Sequence, residues 1–260
     1  MEKYIRVWFA LSVNSFQVFF LSRVGAILFL SGKIIRFIFY LGFLYLLVSK
    51  TRVLSGYSLW EVVLFYLTFN LIDSTTQMLF REVYRFRQMV VSGSFDLLLV
   101  KPVNVLFRVL FGGTDFLDLV TLIPFVVFII ITVSHIPYIN LPGVILYILL
   151  IANALLIAVS FHIFVLSLAV LTSEIDHAIM IYRDFTSMGK IPIDVYGEPF
   201  RSFVTFIIPV GIMMSFPVKA LVGLLQVESV IIALVVSTTL FLSSLLLWRY
   251  SLNTYTSASS

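Results

Sequence analysis

Residues 119–173 read LVTLIPFVVFIIITVSHIPYINLPGVILYILLIANALLIAVSFHIFVLSLAVLTS, without one Asp, Glu, Lys or Arg. A bilayer core takes about 20 residues of helix, so this stretch is too long for a single crossing. His135, Pro137, Asn140, Pro142 and Gly143 sit in its middle. Clusters of this kind punctuate helices. The stretch therefore predicts a hairpin of two spans, 116–134 and 143–171.

The rest of the chain agrees. Hydrophobic types make up 61% of the 260 residues and charged types 12%, and mean hydropathy is +1.10. Soluble domains are about 25% charged, which excludes an ordinary cytosolic enzyme. An outer-membrane barrel would show roughly ten-residue alternating segments, whereas these runs are long and unbroken. Cysteine is absent, so there is no disulfide framework, Cys-based metal site or thiol nucleophile. The expectation is an all-α polytopic membrane protein, a single transmembrane domain over 1–260.

Four further spans complete the reading. Residues 229–248 are uncharged, and 59–80 are apolar apart from Glu61 and Asp73. Residues 203–218 are flanked by Arg201 and Lys219 and interrupted by Pro209 and Pro217. The first span, 33–49, is short, and its Lys33 and Arg36 are expected to snorkel to one interface. Before it, residues 3–24 place Ile5, Trp8, Phe9, Phe16, Phe19 and Phe20 near one helical face, the pattern of a helix lying in the interface. Asn14, Ser15, Gln17 and Arg23 break any signal-peptide core.

Six spans with both termini in the cytosol put 14 of 17 basic residues inside, leaving Lys50, Arg52 and Lys219 outside. That asymmetry satisfies the positive-inside rule. Residues 172–201 are placed in the cytosol, with Ile175, Ile179 and Tyr182 on a membrane-facing stripe. An alternative threads 175–192 as a span and makes 199–222 an external re-entrant hairpin. Its charge density argues against lipid exposure but not against burial in a bundle.

The loop 81–108, REVYRFRQMVVSGSFDLLLVKPVNVLFR, is the most specific segment. Arg81, Arg85 and Arg87 continue the second span. Gly93 permits a break, Ser94 is the expected N-cap of a short helix through Val100, and Asp96 lies near its positive end. Pro102 stops that helix. The product is a short cytosolic helix suited to docking a soluble partner. For the arginines alone, a loop that merely sets topology is an equal reading.

VVSGSFDLLLVKPVNVLFR resembles the intracellular loop of permease subunits of ATP-binding cassette transporters of the type-2 exporter class. It is most similar to a poorly characterised branch with a G-x-x-D-x-x-L-x-x-P-x-N loop. Here the matching positions are Gly93, Asp96, Leu99, Pro102 and Asn104. Pro209, Val210 and Pro217 resemble that branch's late proline segment, and Trp248, Arg249 and Tyr250 its close. The resemblance implies a non-hydrolysing permease in a bacterial cytoplasmic membrane, paired with a second permease as a homo- or heterodimer. It implies separate ABC-type ATPase subunits that use ATP and magnesium and dock at Gly93, Ser94, Asp96, Leu99, Lys101, Pro102 and Asn104, beside Arg85 and Arg87.

The residues themselves offer little chemistry. Gly32-Lys33 and Gly189-Lys190 lack the glycine and Ser/Thr of a P-loop. His135, His162 and His177 have no metalloprotease spacing, and no metal site is expected. Ser187 and Lys190 match only a bare S-x-x-K. Asp73 is the one acid well inside a span. It could pair with an arginine, line a path or carry a proton, or simply form a polar patch with Ser74 and Gln77. Pro209, Gly211 and Pro217 suggest a gate or hinge near the outer face, with a short external helix over about 217–225. No cofactor bound by this chain and no nucleic-acid partner is expected; membrane lipid is. The rival readings are a stand-alone secondary transporter or channel, and a lipid-modifying membrane enzyme.

Overall fold

Uncharged runs in this chain become helices because lipid offers no partner for a free backbone N–H or C=O. The structure, a computed structural model, describes residues 2–21, 23–172 and 176–256. Regular structure among them is helical. Four helices are long and apolar enough to cross a bilayer: α2 (Arg23–Thr51), α7 (Phe116–Ser134), α8 (Leu141–Thr172) and α12 (Val227–Thr254). They make the chain a polytopic membrane protein.

The first of these is longer than expected. Instead of 33–49, α2 runs from Arg23, because no proline or unpaired buried charge stops it. Lys33 donates to the Asp118 carboxylate, whose side chain is fully buried. It therefore does not snorkel. The preceding helix α1 (Glu2–Leu21) is separate. It exposes Ile5, Phe9, Val13 and Phe16 on one stripe, while the side chains of Phe19 and Phe20 lie outside the described residues.

Helix α3 (Leu59–Phe80) is the buried centre, packed on α2, α7 and α8. Its early acid is satisfied: Glu61 accepts from the Ser58 N–H at 2.7 Å and the Tyr138 hydroxyl at 2.6 Å. Helices α8 and α12 form the most extensive pair. Ala154, Ala158, Ala233, Ser237 and Ser244 are all buried. Small residues let apolar helices approach closely in lipid. Asn153 ties the two by accepting from Ser237 and donating to the Ala233 carbonyl.

The bundle has two ends. One carries α1, the close of α12 and three short helices: α4 (Phe86–Val91), α5 (Ser94–Leu99) and α6 (Val105–Leu110). Its own apolar core joins Phe80, Phe86, Phe95, Leu110, Leu166 and Trp248. The opposite end gathers the loops 52–58, 135–140 and 191–199.

Residues 176–201, part of the stretch expected in the cytosol, do not stay at the first end. Helix α9 (Asp176–Ser187) returns beside α8, its Tyr182 ring 5.4 Å from Phe161 and 5.1 Å from His162. Tyr182 thus packs against rings of the bundle rather than forming a lipid-facing stripe; Ile175 lies outside the described residues. By Asp194 the chain has reached the opposite end, where the Tyr57 hydroxyl donates to it at 2.9 Å. Asp194 also accepts from Lys219 at 2.8 Å and lies 3.8 Å from Arg201.

That clasp bends the segment in which a span is expected at 203–218. Helix α10 (Phe200–Ser202) continues as a π-helix to Ile207, and a second π-helix, Gly211–Ser215, leads into α11 (Phe216–Leu221). The two arms meet at 81°. Arg201 and Lys219 reach the same carboxylate, so the segment returns to the end it leaves. Arg201, expected inside, stands with Lys219.

Candidate functional site

Three features collect the residues singled out by sequence. The first is the knuckle formed by α4 and α5. Gly93 takes φ +71°, the left-handed region that glycine enters without penalty. Gly93 itself is the N-cap, correcting the expectation for Ser94. The Ser94 hydroxyl instead meets that of Ser92 at 2.8 Å. The helix ends at Leu99, with Val100 as its cap.

Phe95 roots the knuckle. It is wholly buried, with ring centroids 5.1 Å from both Phe86 and Tyr255. Asp96 accepts from the Tyr255 hydroxyl at 2.9 Å, so it anchors the close of the chain as well as facing a helix start. Asn104 caps α6 by accepting from the Phe107 N–H at 3.0 Å. The Pro102 carbonyl accepts from Lys3. What remains exposed is Val91, Leu97, Leu99 and Val100, with Arg87, Lys101 and Pro102 also exposed. Arg85 is exposed too and lines a groove of about 510 Å³ between α1 and the start of α7.

The second feature is the bent hairpin. Pro209 lacks the N–H that would continue the first arm. A Cβ on Gly211 would lie 2.6 Å from the Thr205 hydroxyl and 3.0 Å from the Thr205 Cα. The arms therefore close only around glycine. Pro217 bends nothing: it sits in the first turn of α11, where no N–H is needed. This short helix, α11, has Phe216, Val218, Ala220 and Leu221 buried. Burial resists the charge on Asp194 at the hairpin's base. The Lys219 and Tyr57 bonds and Arg201 outweigh it and hold the carboxyl below its ordinary range.

The third feature is a polar chamber of about 150 Å³ lined from α2, α3 and α9, with Arg36 on α2 and Arg183 on α9 exposed. Asp73 lines it and accepts from Gln77 at 2.7 Å. Arg36, Arg183 and Lys190 line it as well. These three were missed as site residues, because Arg36 is read as snorkelling and the other two as cytosolic. A signal existed: Arg183, Thr186, Ser187 and Lys190 are a polar stripe at helical spacing, and all four face the chamber. The Ser187 hydroxyl donates to the Asp184 carbonyl at 2.8 Å, a structural contact in place of a nucleophile's. Among the described residues no cluster suits a metal ion.

No curated protein and no solved structure matches the chain. The family model described as ABC-2 family transporter protein matches residues 34–259, which include all three features. The chain belongs to the ABC-2 transporter family.

Proposed function

We propose that this permease forms the substrate pathway of an exporter driven by separate ABC-type ATPase subunits. The knuckle α4–α5 is their docking site, in the cytosol, with both chain termini on that side of a cytoplasmic membrane. We read six crossings: α2, α3, α7, α8, the segment 176–190 and α12. ATP and magnesium are handled by the ATPase subunits. A second permease subunit covers α2 and α9, which spares Arg36 and Arg183 exposure to lipid.

The observation that carries this reading is the exposed apolar tip of Val91, Leu97, Leu99 and Val100 on a buried Phe95 root. Isolated apolar residues on a surface are ordinary, whereas a contiguous rimmed patch marks an interaction site. A rigid root lets force on the tip reach α8 and α12 through the shared core. ATP-driven closure of the ATPases then moves the permeases between inward- and outward-open states, and the bent hairpin serves as the outer gate.

The test is co-purification. The tagged permease should retain an ABC-type ATPase from its own membrane. Leu97→Glu with Val100→Glu should abolish retention while membrane insertion and monodispersity persist. Recovery of the wild-type permease with no ATPase, or undiminished retention by the variant, overturns the assignment.

A further inference from the structure

The chamber holds more positive charge than the chain balances. Arg36, Arg183 and Lys190 face one carboxylate, Asp73. Among the described residues none of the three makes an ion pair. Lys33 is not spare, because Asp118 holds it. Lys190 instead lies over two rings, 5.8 Å from Tyr40 and 5.7 Å from Phe69. Asp73 is committed to Gln77.

These charges lie along the helices, well away from a helix start. Arg36 is thirteen residues from the start of α2, about 20 Å along its axis at 1.5 Å per residue. Asp73 is fourteen residues from the start of α3, which runs the other way. Unbalanced charge within a membrane-spanning helix is costly unless it meets an opposite charge or water. Arginine forks match phosphate and carboxylate oxygens in pairs. The walls beside them are aromatic, with Tyr40, Tyr66 and Phe69 lining the same space, while the two arginines are exposed at its edge.

We infer that the transported molecule is an amphiphile whose anionic group, a phosphate or carboxylate, seats between Arg36 and Arg183. Its apolar part lies along the aromatic wall. Asp73 supplies the opposing charge that keeps the anion from binding too tightly to leave. A cationic or neutral amphiphile gains nothing from this site. The inference rests on the permease reading but needs no ATPase to test.

The experiment uses the full chain in nanodiscs of zwitterionic lipid and a photoreactive diazirine-bearing decyl phosphate, with the labelled residues mapped by mass spectrometry. Labels should fall on α2 and α9 around Tyr40 and Lys190. Decyl phosphate and decanoate should compete, while decyltrimethylammonium should not. Inorganic phosphate should compete at least a hundredfold less well, which separates a headgroup from a free anion. Arg36→Gln and Arg183→Gln should weaken labelling at least tenfold, Arg36→Lys should weaken it less because it keeps the charge and loses only the fork, and Arg249→Gln should leave it unchanged.

Competition by decyltrimethylammonium equal to decyl phosphate, equal competition by inorganic phosphate, or undiminished labelling of Arg36→Gln each overturns the inference. Should Arg36→Gln fail to fold, the competition profile of the wild-type chain decides alone. Anion-selective labelling without a co-purifying ATPase would sink the permease reading only; a co-purifying ATPase without selective labelling would sink this inference only.

Discussion

The Lys33–Asp118 pair offers the sharpest test of how α2 and α7 are held together. Asp118 has a fully buried side chain, and its second oxygen, Oδ2, has no hydrogen-bond partner. Lys33 therefore carries nearly all of its compensation. Removing one partner of a buried pair costs about 3–5 kcal/mol, because the other charge stays buried and uncompensated. Replacing both with apolar residues of similar size is near neutral, or stabilising by about 1–4 kcal/mol. For a chain of this size each kcal/mol moves Tm by about 2–4 °C. Lys33→Met should therefore lower Tm by about 6–20 °C. Lys33→Met combined with Asp118→Leu should return to within a few degrees of wild type or exceed it. The assay is thermal unfolding of the purified permease in detergent micelles, followed by tryptophan fluorescence. If Lys33→Met shifts Tm by less than about 3 °C, or the double variant is no more stable than that single one, the pair is not buried as described.

Two further outcomes follow from the hairpin and its base. Gly211→Ala should destabilise by about 1–3 kcal/mol through overpacking against Thr205, whereas Gly32→Ala, with nothing within 4 Å of the added Cβ, should stabilise by about 0.5–1 kcal/mol on helix propensity; unfolding midpoints moving the same way would refute the contrast. Because the folded pKa of Asp194 is lowered, its contribution is complete above its unfolded value of about 4 and is lost as pH falls through the folded one. Unfolding curves should thus be insensitive to this group from pH 5 to 8, and Asp194→Asn should lower stability at pH 7 and flatten the acid limb.

Much of the fold was legible because lipid imposes a simple rule on composition. Within the uncharged runs, 119–134, 141–172 and 229–248 are helical in the structure, and the turn cluster around 135–140 separates the first two. Gly93 and Asn104 were legible as a break and a motif position, since their backbone roles are local. Ser94 was not the cap, because Gly93 takes the left-handed turn and leaves Ser94 already inside the helix. The path of 176–221 was hidden for a different reason. Its charges are expensive only in lipid, and whether Arg183, Lys190 or Arg201 meets lipid depends on residues more than a hundred positions away, such as Arg36 and Tyr57.

By itself the sequence determined the class, the placement of the long apolar helices and the candidate docking loop. Each follows from short-range quantities: hydropathy over about twenty residues, backbone freedom at one glycine, a missing N–H at one proline. Only the tertiary structure decided that the flanks of 203–218, Arg201 and Lys219, meet at Asp194, that Lys33 is paired, and that three distant bases share a chamber with Asp73. Those are properties of what a charge faces across the bundle, and pairing across 85 positions, as between Lys33 and Asp118, leaves no trace in local pattern.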